Sequence, residues 1–178
     1  MLKKLLIGIA LVVAAFAAYV ALQPSDYRVV RSATIAAPPA DVFAQVNNFK
    51  KWEAWSPWAK LDPAAKSVFE GPAEGNGAVF RWAGNAQVGE GAMTLIESRP
   101  GELVRIKLDF VKPMAATSTT EFTFKPQGNQ TAVTWAMMGQ NNFFSRAICT
   151  FMNQDKMVGG AFEQGLANMK AIVETARK

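Results

Sequence analysis

The chain has 178 residues, no histidine and one cysteine, Cys149. Serine-histidine and cysteine-histidine nucleophiles and histidine-containing zinc sites are therefore excluded, as are an internal disulfide and a thiolate cluster. Net charge is +5, of which Lys3 and Lys4 supply two, and the remainder is spread too thinly to form a nucleic-acid surface.

Residues 1–4 are a short basic stub, and in residues 5–22 only Gly8 is not apolar and no residue is charged. As a helix this run spans about 27 Å, close to the thickness of a bilayer core. Two readings fit: an uncleaved single-pass anchor, or a secretory signal with Ala15-Phe16-Ala17 as its small-residue cleavage site. The anchor is preferred, because the apolar run continues past that site through Tyr19 to Leu22. In either case Lys3 and Lys4 hold the amino terminus in the cytoplasm, and the part after Pro24 is exported to a periplasmic or extracellular compartment. A signal would release it as a secreted protein. Residues 1–24 are accordingly assigned to the membrane segment and residues 25–178 to one domain of ordinary size.

Residues 27–35 are rich in β-formers and stop at Ala36-Ala37-Pro38-Pro39, where two prolines forbid pairing. Pro39 fits the first turn of a helix to about Asn47, with Val42, Phe43 and Val46 at helical spacing. A second short helix over residues 49–55 ends at Ser56-Pro57. Six further strands follow near residues 66–70, 78–84, 88–98, 102–111, 116–126 and 130–139, separated by turn sequences such as Arg99-Pro100-Gly101 and Gly128-Asn129. Links this short imply an antiparallel meander. Val104, Ile106, Leu108 and Phe110 face one way, as do Thr120, Phe122 and Phe124, while Arg105, Lys107 and Asp109 face the other. For residues 92–98 neither side is the more apolar, so Met93 and Thr94 are not assigned to faces. Residues 143–152 read as a short helix. From about Asp155 to Arg177, Val158, Phe162, Gly165, Leu166, Met169 and Val173 fall on one helical stripe, whose only sufficiently large partner is the inner face of the sheet.

The large soft side chains at sheet-facing or helix-facing positions suggest an adaptable apolar cavity. From the sheet they are Phe80, Trp82, Phe110, Phe122, Trp135 and Met137; from the helix they are Met157, Phe162 and Met169, with Gly165 making room among them. Trp52 and Trp55 join this ligand-binding set. They belong to Lys51-Trp52-Glu53-Ala54-Trp55-Ser56-Pro57-Trp58, where Trp52 and Trp58 sit roughly 120° apart on a helix. Some of these indoles plug the core, and others form a cavity mouth or touch lipid headgroups. Gly75-Asn76-Gly77 and Gly89-Glu90-Gly91 lack the third glycine and the Lys-Ser/Thr of phosphate-binding loops and read as hairpin turns. Carboxylates are scattered, without metal-binding or paired-acid spacing. Any catalytic acid must come from Glu53, Glu90, Glu97 or Asp109, with Arg81 or Arg105 as partners, and a desolvated Glu90 or Glu97 is the leading choice. No metal or cofactor is expected.

The order of elements resembles the helix-grip fold of the START-like SRPBCC superfamily: an α+β domain in which a curved antiparallel sheet wraps around a long carboxy-terminal helix, here preceded by one transmembrane or signal helix. The resemblance covers residues 27–176. It is carried by Ala33-Thr34-Ile35-Ala36-Ala37-Pro38-Pro39-Ala40-Asp41-Val42-Phe43, by the Trp52-to-Trp58 segment and by Gly165-Leu166-Ala167-Asn168-Met169-Lys170. The members it resembles are grouped as polyketide cyclase/dehydrase or lipid-transport proteins. The superfamily holds carriers, lipid binders, aromatic cyclases, cochaperones and oxygenase subunits, so the fold transfers better than the function. Without histidine, the metal sites of the oxygenase relatives cannot be present. The expected function is a membrane-tethered, exported binding protein holding a lipid, isoprenoid or aromatic metabolite between sheet and helix, with no protein partner specified. The alternatives are a cyclase/dehydratase-like enzyme using one carboxylic acid, and a solid-core interaction domain that docks through Trp58.

Overall fold

The computed structural model describes residues 1–177. Helix α1 (Leu2–Leu22) is followed by strand β1 (Asp26–Ile35), helix α2 (Pro39–Asn47), a 3-10 turn (Phe49–Lys51) and helix α3 (Trp52–Trp55). Six strands come next, β2 (Lys66–Glu70), β3 (Val79–Ala83), β4 (Glu90–Arg99), β5 (Leu103–Lys112), β6 (Ala116–Gln127) and β7 (Gln130–Gln140). Helices α4 (Phe143–Cys149) and α5 (Gln154–Thr175) close the chain. The strands form one antiparallel sheet in the order β1-β7-β6-β5-β4-β3-β2. The meander runs through consecutive hairpins, and β1 closes against the last strand, so the helix-grip arrangement expected from the sequence is present.

Local chemistry accounts for the boundaries. Pro38 and Pro39 end β1 and start α2, and Asn48, Asn142 and Asn153 cap the 3-10 turn, α4 and α5 through side-chain oxygens that accept from Lys50, Ser145 and Lys156 amides. Residues 92–98 resisted assignment because β4 is bulged. Leu95 pairs with Ile106 and faces the core, Glu97 pairs with Arg105 on the outer side, and Ile96 is the extra residue between them. Ser98 then returns inward, opposite Val104, and its hydroxyl donates to Oδ1 of Asn47 at 2.7 Å. No single alternation spans the bulge.

Helix α5 lays Phe162, Gly165, Leu166, Met169 and Val173 over the concave side of the sheet. It is also fastened to the edge strand β1. Arg31 stands over Gly159 and binds the Asp155 carboxylate at 2.9 Å and the Glu163 carboxylate at 2.5 Å. Lys170 donates to the Thr34 carbonyl at 2.8 Å, and Glu174 accepts from the Ala36 amide at 2.7 Å.

Candidate functional site

The expected ligand-binding residues divide into two groups. Trp52, Trp55, Phe122, Trp135, Phe162, Gly165 and Met169 form a dry plug at the centre of the domain. Phe162 of α5 stacks on Trp135 of β7 with centroids 3.9 Å apart, and Trp135 stacks on Phe122 of β6 at 4.7 Å. Trp52 and Trp55, three residues apart on α3, meet at 4.6 Å and turn their edges toward that column. Each buried indole N–H is satisfied: Trp52 donates to the Val46 carbonyl at 2.9 Å, Trp55 to the Gln45 carbonyl at 3.1 Å and Trp135 to the Thr120 hydroxyl at 2.8 Å. Such stacked and edge-on pairs add about 0.5–1.5 kcal/mol each beyond their area.

Gly165 belongs to this plug as a close contact and does not open a space. A Cβ there would stand 2.9 Å from Cζ3 of Trp135 and 3.2 Å from Cδ of Pro57. The expected cavity between sheet and α5 is therefore replaced, along Phe162 to Met169, by direct ring packing. Two concavities on the surface, of about 510 Å³ beside Ala171, Ile172, Thr175 and Ala176 and about 430 Å³ along α1, lie elsewhere and are open to solvent.

The second group lines the opposite half of the concave face, where the sheet extends beyond α5. Phe80, Trp82 and Phe110 are half-buried, with Leu108 beside them and Phe69 of β2 more exposed. The rings form a ladder from β2 through β3 to β5: Phe69 to Phe80 at 5.1 Å, Phe80 to Trp82 at 6.0 Å and Trp82 to Phe110 at 6.2 Å. Trp82 is fixed by donating to the Val88 carbonyl at 2.9 Å, and its ring lies over Gly91, where any Cβ would meet it at 2.6 Å. Met137 is buried on the same side of β7, and Tyr27 crosses Gly139 to reach the Ser118 hydroxyl at 2.7 Å. Burial, only partly offset by that hydrogen bond, pushes the Tyr27 phenol above its ordinary value. The sequence reading left out Phe69, Leu108, Tyr27 and Ser118. Phe69 sits on a short strand with every residue exposed, which gives no burial pattern to read.

Three of the expected residues are placed elsewhere. Met157 is 59% exposed on the first turns of α5 and lies outside both groups. Glu90 is on the outer face of the sheet, paired with Lys112 at 2.7 Å. Glu97 is on the outer face as well, bound by Arg105 and, at 3.4 Å, by Arg99. Neither carboxylate addresses the concave side, so a single-acid mechanism through them has no geometry in this fold. Arg105 is shared with Glu121, whose hydrogen bond raises the guanidinium pKa further. Of the other candidates, Glu53 is exposed, Asp109 pairs with Lys107 at 2.9 Å and Arg81 with Glu70 at 3.1 Å. Trp58 is 37% exposed, edge-on to Trp135 and Phe162. Among the described residues no cluster of carboxylates and Cys149 has the makings of a metal site.

No curated protein matches the sequence. Solved structures share the fold at low identity. A protein of unknown function from Staphylococcus aureus superposes with a TM-score of 0.64 at 12% identity, covering 88% of this chain and 98% of that one. A protein from Thermus thermophilus gives 0.60 at 19% identity, with 85% and 100% covered. The Aha1 dimer from Colwellia psychrerythraea, solved in solution, gives 0.57 at 16% identity, with 83% and 96% covered. The family model described as polyketide cyclase / dehydrase and lipid transport matches residues 26–174, the whole of the sheet and nearly all of α5, and the chain belongs to that family.

Proposed function

We propose that this protein is a membrane-tethered, exported binding module that holds an apolar small molecule, of the lipid, isoprenoid or aromatic class, against the open half of its concave sheet. The observation that carries the reading is the half-wet ladder of Phe69, Phe80, Trp82 and Phe110. Aromatic side chains there are fixed in place yet not covered by α5, whereas the inward rings Phe122, Phe124 and Trp135 of β6 and β7 are packed dry. Unoccupied, such a surface is costly to leave in water, and an apolar ligand laid on it removes that cost. The family description, which includes lipid transport, supports the same class of ligand.

Tethering rests on α1, which is long and apolar enough to cross a bilayer and is exposed along nearly all of its length. Retention as an anchor is supported by its last turn. Val20 is fully buried, and Arg146 of α4 donates to the carbonyls of Ala21 at 3.1 Å and Gln23 at 3.0 Å. The basic Lys3 and Lys4 favour a cytoplasmic amino terminus and an exported domain.

The test uses the full chain held in amphipol. Organic extraction followed by mass spectrometry identifies a co-purifying apolar molecule, and a fluorescent polyene fatty acid reports binding by its own anisotropy. Trp82→Ala and Phe110→Ala are each expected to weaken the probe about tenfold, the effect of losing roughly 1.4 kcal/mol of contact. Absence of any bound molecule or probe, or equal affinity in folded variants and parent, overturns the proposal.

A further inference from the structure

Five large apolar side chains between residues 143 and 157 are exposed: Phe143, Phe144, Phe151, Met152 and Met157. Phe151 is 80% exposed and Phe144 62%, so folding removes only a minor part of either ring from water. In residues 141–152 the only charged residue is Arg146. Its guanidinium donates to the carbonyls of Ala21 and Gln23, which the end of α1 would otherwise leave without a protein partner.

Contact with α1 sets the depth of this knuckle. Phe151 stacks on Phe16 with centroids 5.9 Å apart and planes 30° from parallel. Phe16 lies six residues before Leu22, which places it about 9 Å inside the apolar run at 1.5 Å per residue. A ring stacked on Phe16 therefore shares that depth. The β5–β6 turn is at the same end of the sheet, because Phe110 pairs with Ala116 while Ser118 pairs with Gly139 just ahead of α4. It brings exposed Val111 and Met114 to that end. The open end of the aromatic ladder, Trp82 and Phe110, is here too.

We propose that the knuckle of residues 143–152 is a second membrane-embedded element, immersed in the leaflet that α1 enters from its carboxy-terminal end. Its occupant is the lipid bilayer itself, and the inference rests on the reading of α1 as a membrane anchor. Continuity with α1 through Phe16 and Phe151, the absence of acidic side chains in the segment and the exposure of its rings single out lipid over a protein partner. The immersed knuckle turns the aromatic end of the concave sheet toward the membrane, so an apolar ligand passes between leaflet and sheet without crossing water.

The experiment reconstitutes the full chain, with Cys149→Ser, into phosphatidylcholine and phosphatidylglycerol vesicles and labels single cysteines with an environment-sensitive fluorophore. Label sites are Phe151→Cys and Phe144→Cys in the knuckle, Leu11→Cys in α1 and Asn129→Cys at the far end of the sheet. The expected result is quenching of the 144 and 151 labels by nitroxide lipids, with aqueous iodide several-fold less effective on them than on the 129 label. If the label at 11 is lipid-quenched while those at 144 and 151 respond to iodide like 129, the inference is overturned and the anchor stands. If the label at 11 is itself open to iodide, the anchor reading fails and carries the inference with it. Two knuckle sites guard against one substitution disturbing its neighbours.

Discussion

Whether the space between β7 and α5 is solid or hollow is decided by two glycines on one helix. Gly165→Ala places a methyl 2.9 Å from the Trp135 ring and 3.2 Å from Pro57. The indole has nowhere to retreat, being stacked on Phe162 and Phe122 and hydrogen-bonded to Thr120. Alanine contributes about 1 kcal/mol of helix propensity over glycine, and forcing a packed ring aside costs roughly 1–3 kcal/mol. The balance is a loss of about 0–2 kcal/mol, or a melting temperature lower by roughly 2–4 °C per kcal/mol for a domain of this size. Gly160 has open space at the Cβ position, so Gly160→Ala is expected to stabilise by about 0.4–1 kcal/mol. Thermal unfolding of the two variants, followed by far-ultraviolet circular dichroism of the full chain in detergent, should therefore move in opposite directions. Gly165→Leu should lower the midpoint further. A Gly165→Ala variant as stabilised as Gly160→Ala would refute solid packing and restore the cavity.

The hydrogen bond from Arg31 holds the Asp155 carboxyl below the usual carboxylate range. A depressed carboxylate contributes stability above its unfolded value near 4, and that contribution is lost as pH falls through the folded value. Melting measured from pH 5 down to pH 3 should fall more for the parent than for Asp155→Asn, and equal falls would exclude a role for this pair. Thr120→Val should cost about 1–3 kcal/mol, because the Trp135 N–H loses its acceptor in a dry core. Combining it with Trp135→Phe should cost less than the sum of the two single changes in denaturant melts, and strict additivity would show that the pair is not coupled.

The strand and helix pattern was legible because most of this sheet has one wet and one dry face, so alternation in β5, β6 and β7 maps directly onto burial. It failed at β4, where one inserted residue at Ile96 reverses the faces within five positions. The large inward side chains were also legible as a set, but composition does not distinguish rings that stack on one another from rings that line a space. Trp135 and Trp82 look alike in the sequence. One lies under α5 and the other beyond its reach, and that difference is set by where the helix crosses the sheet. Glu90 and Glu97 are acid candidates in the sequence, and in the fold cross-strand pairing to Lys112 and Arg105 accounts for both.

The attachment of α5 to β1 has a further effect, on what the molecule does not do. An open sheet has two outer strands whose unpaired backbone groups invite a strand from another molecule. Along β1 two of those groups are engaged by side chains, the Thr34 carbonyl by Lys170 and the Val30 carbonyl by Arg31 at 2.8 Å, and Glu174 takes the Ala36 amide just beyond the strand. The opposite outer strand, β2, is only five residues long and begins and ends in charge, at Lys66 and Glu70. One border is thus partly covered by the side chains that fasten α5, and the other is short and charged. This leaves the sheet little free edge from which to extend from molecule to molecule.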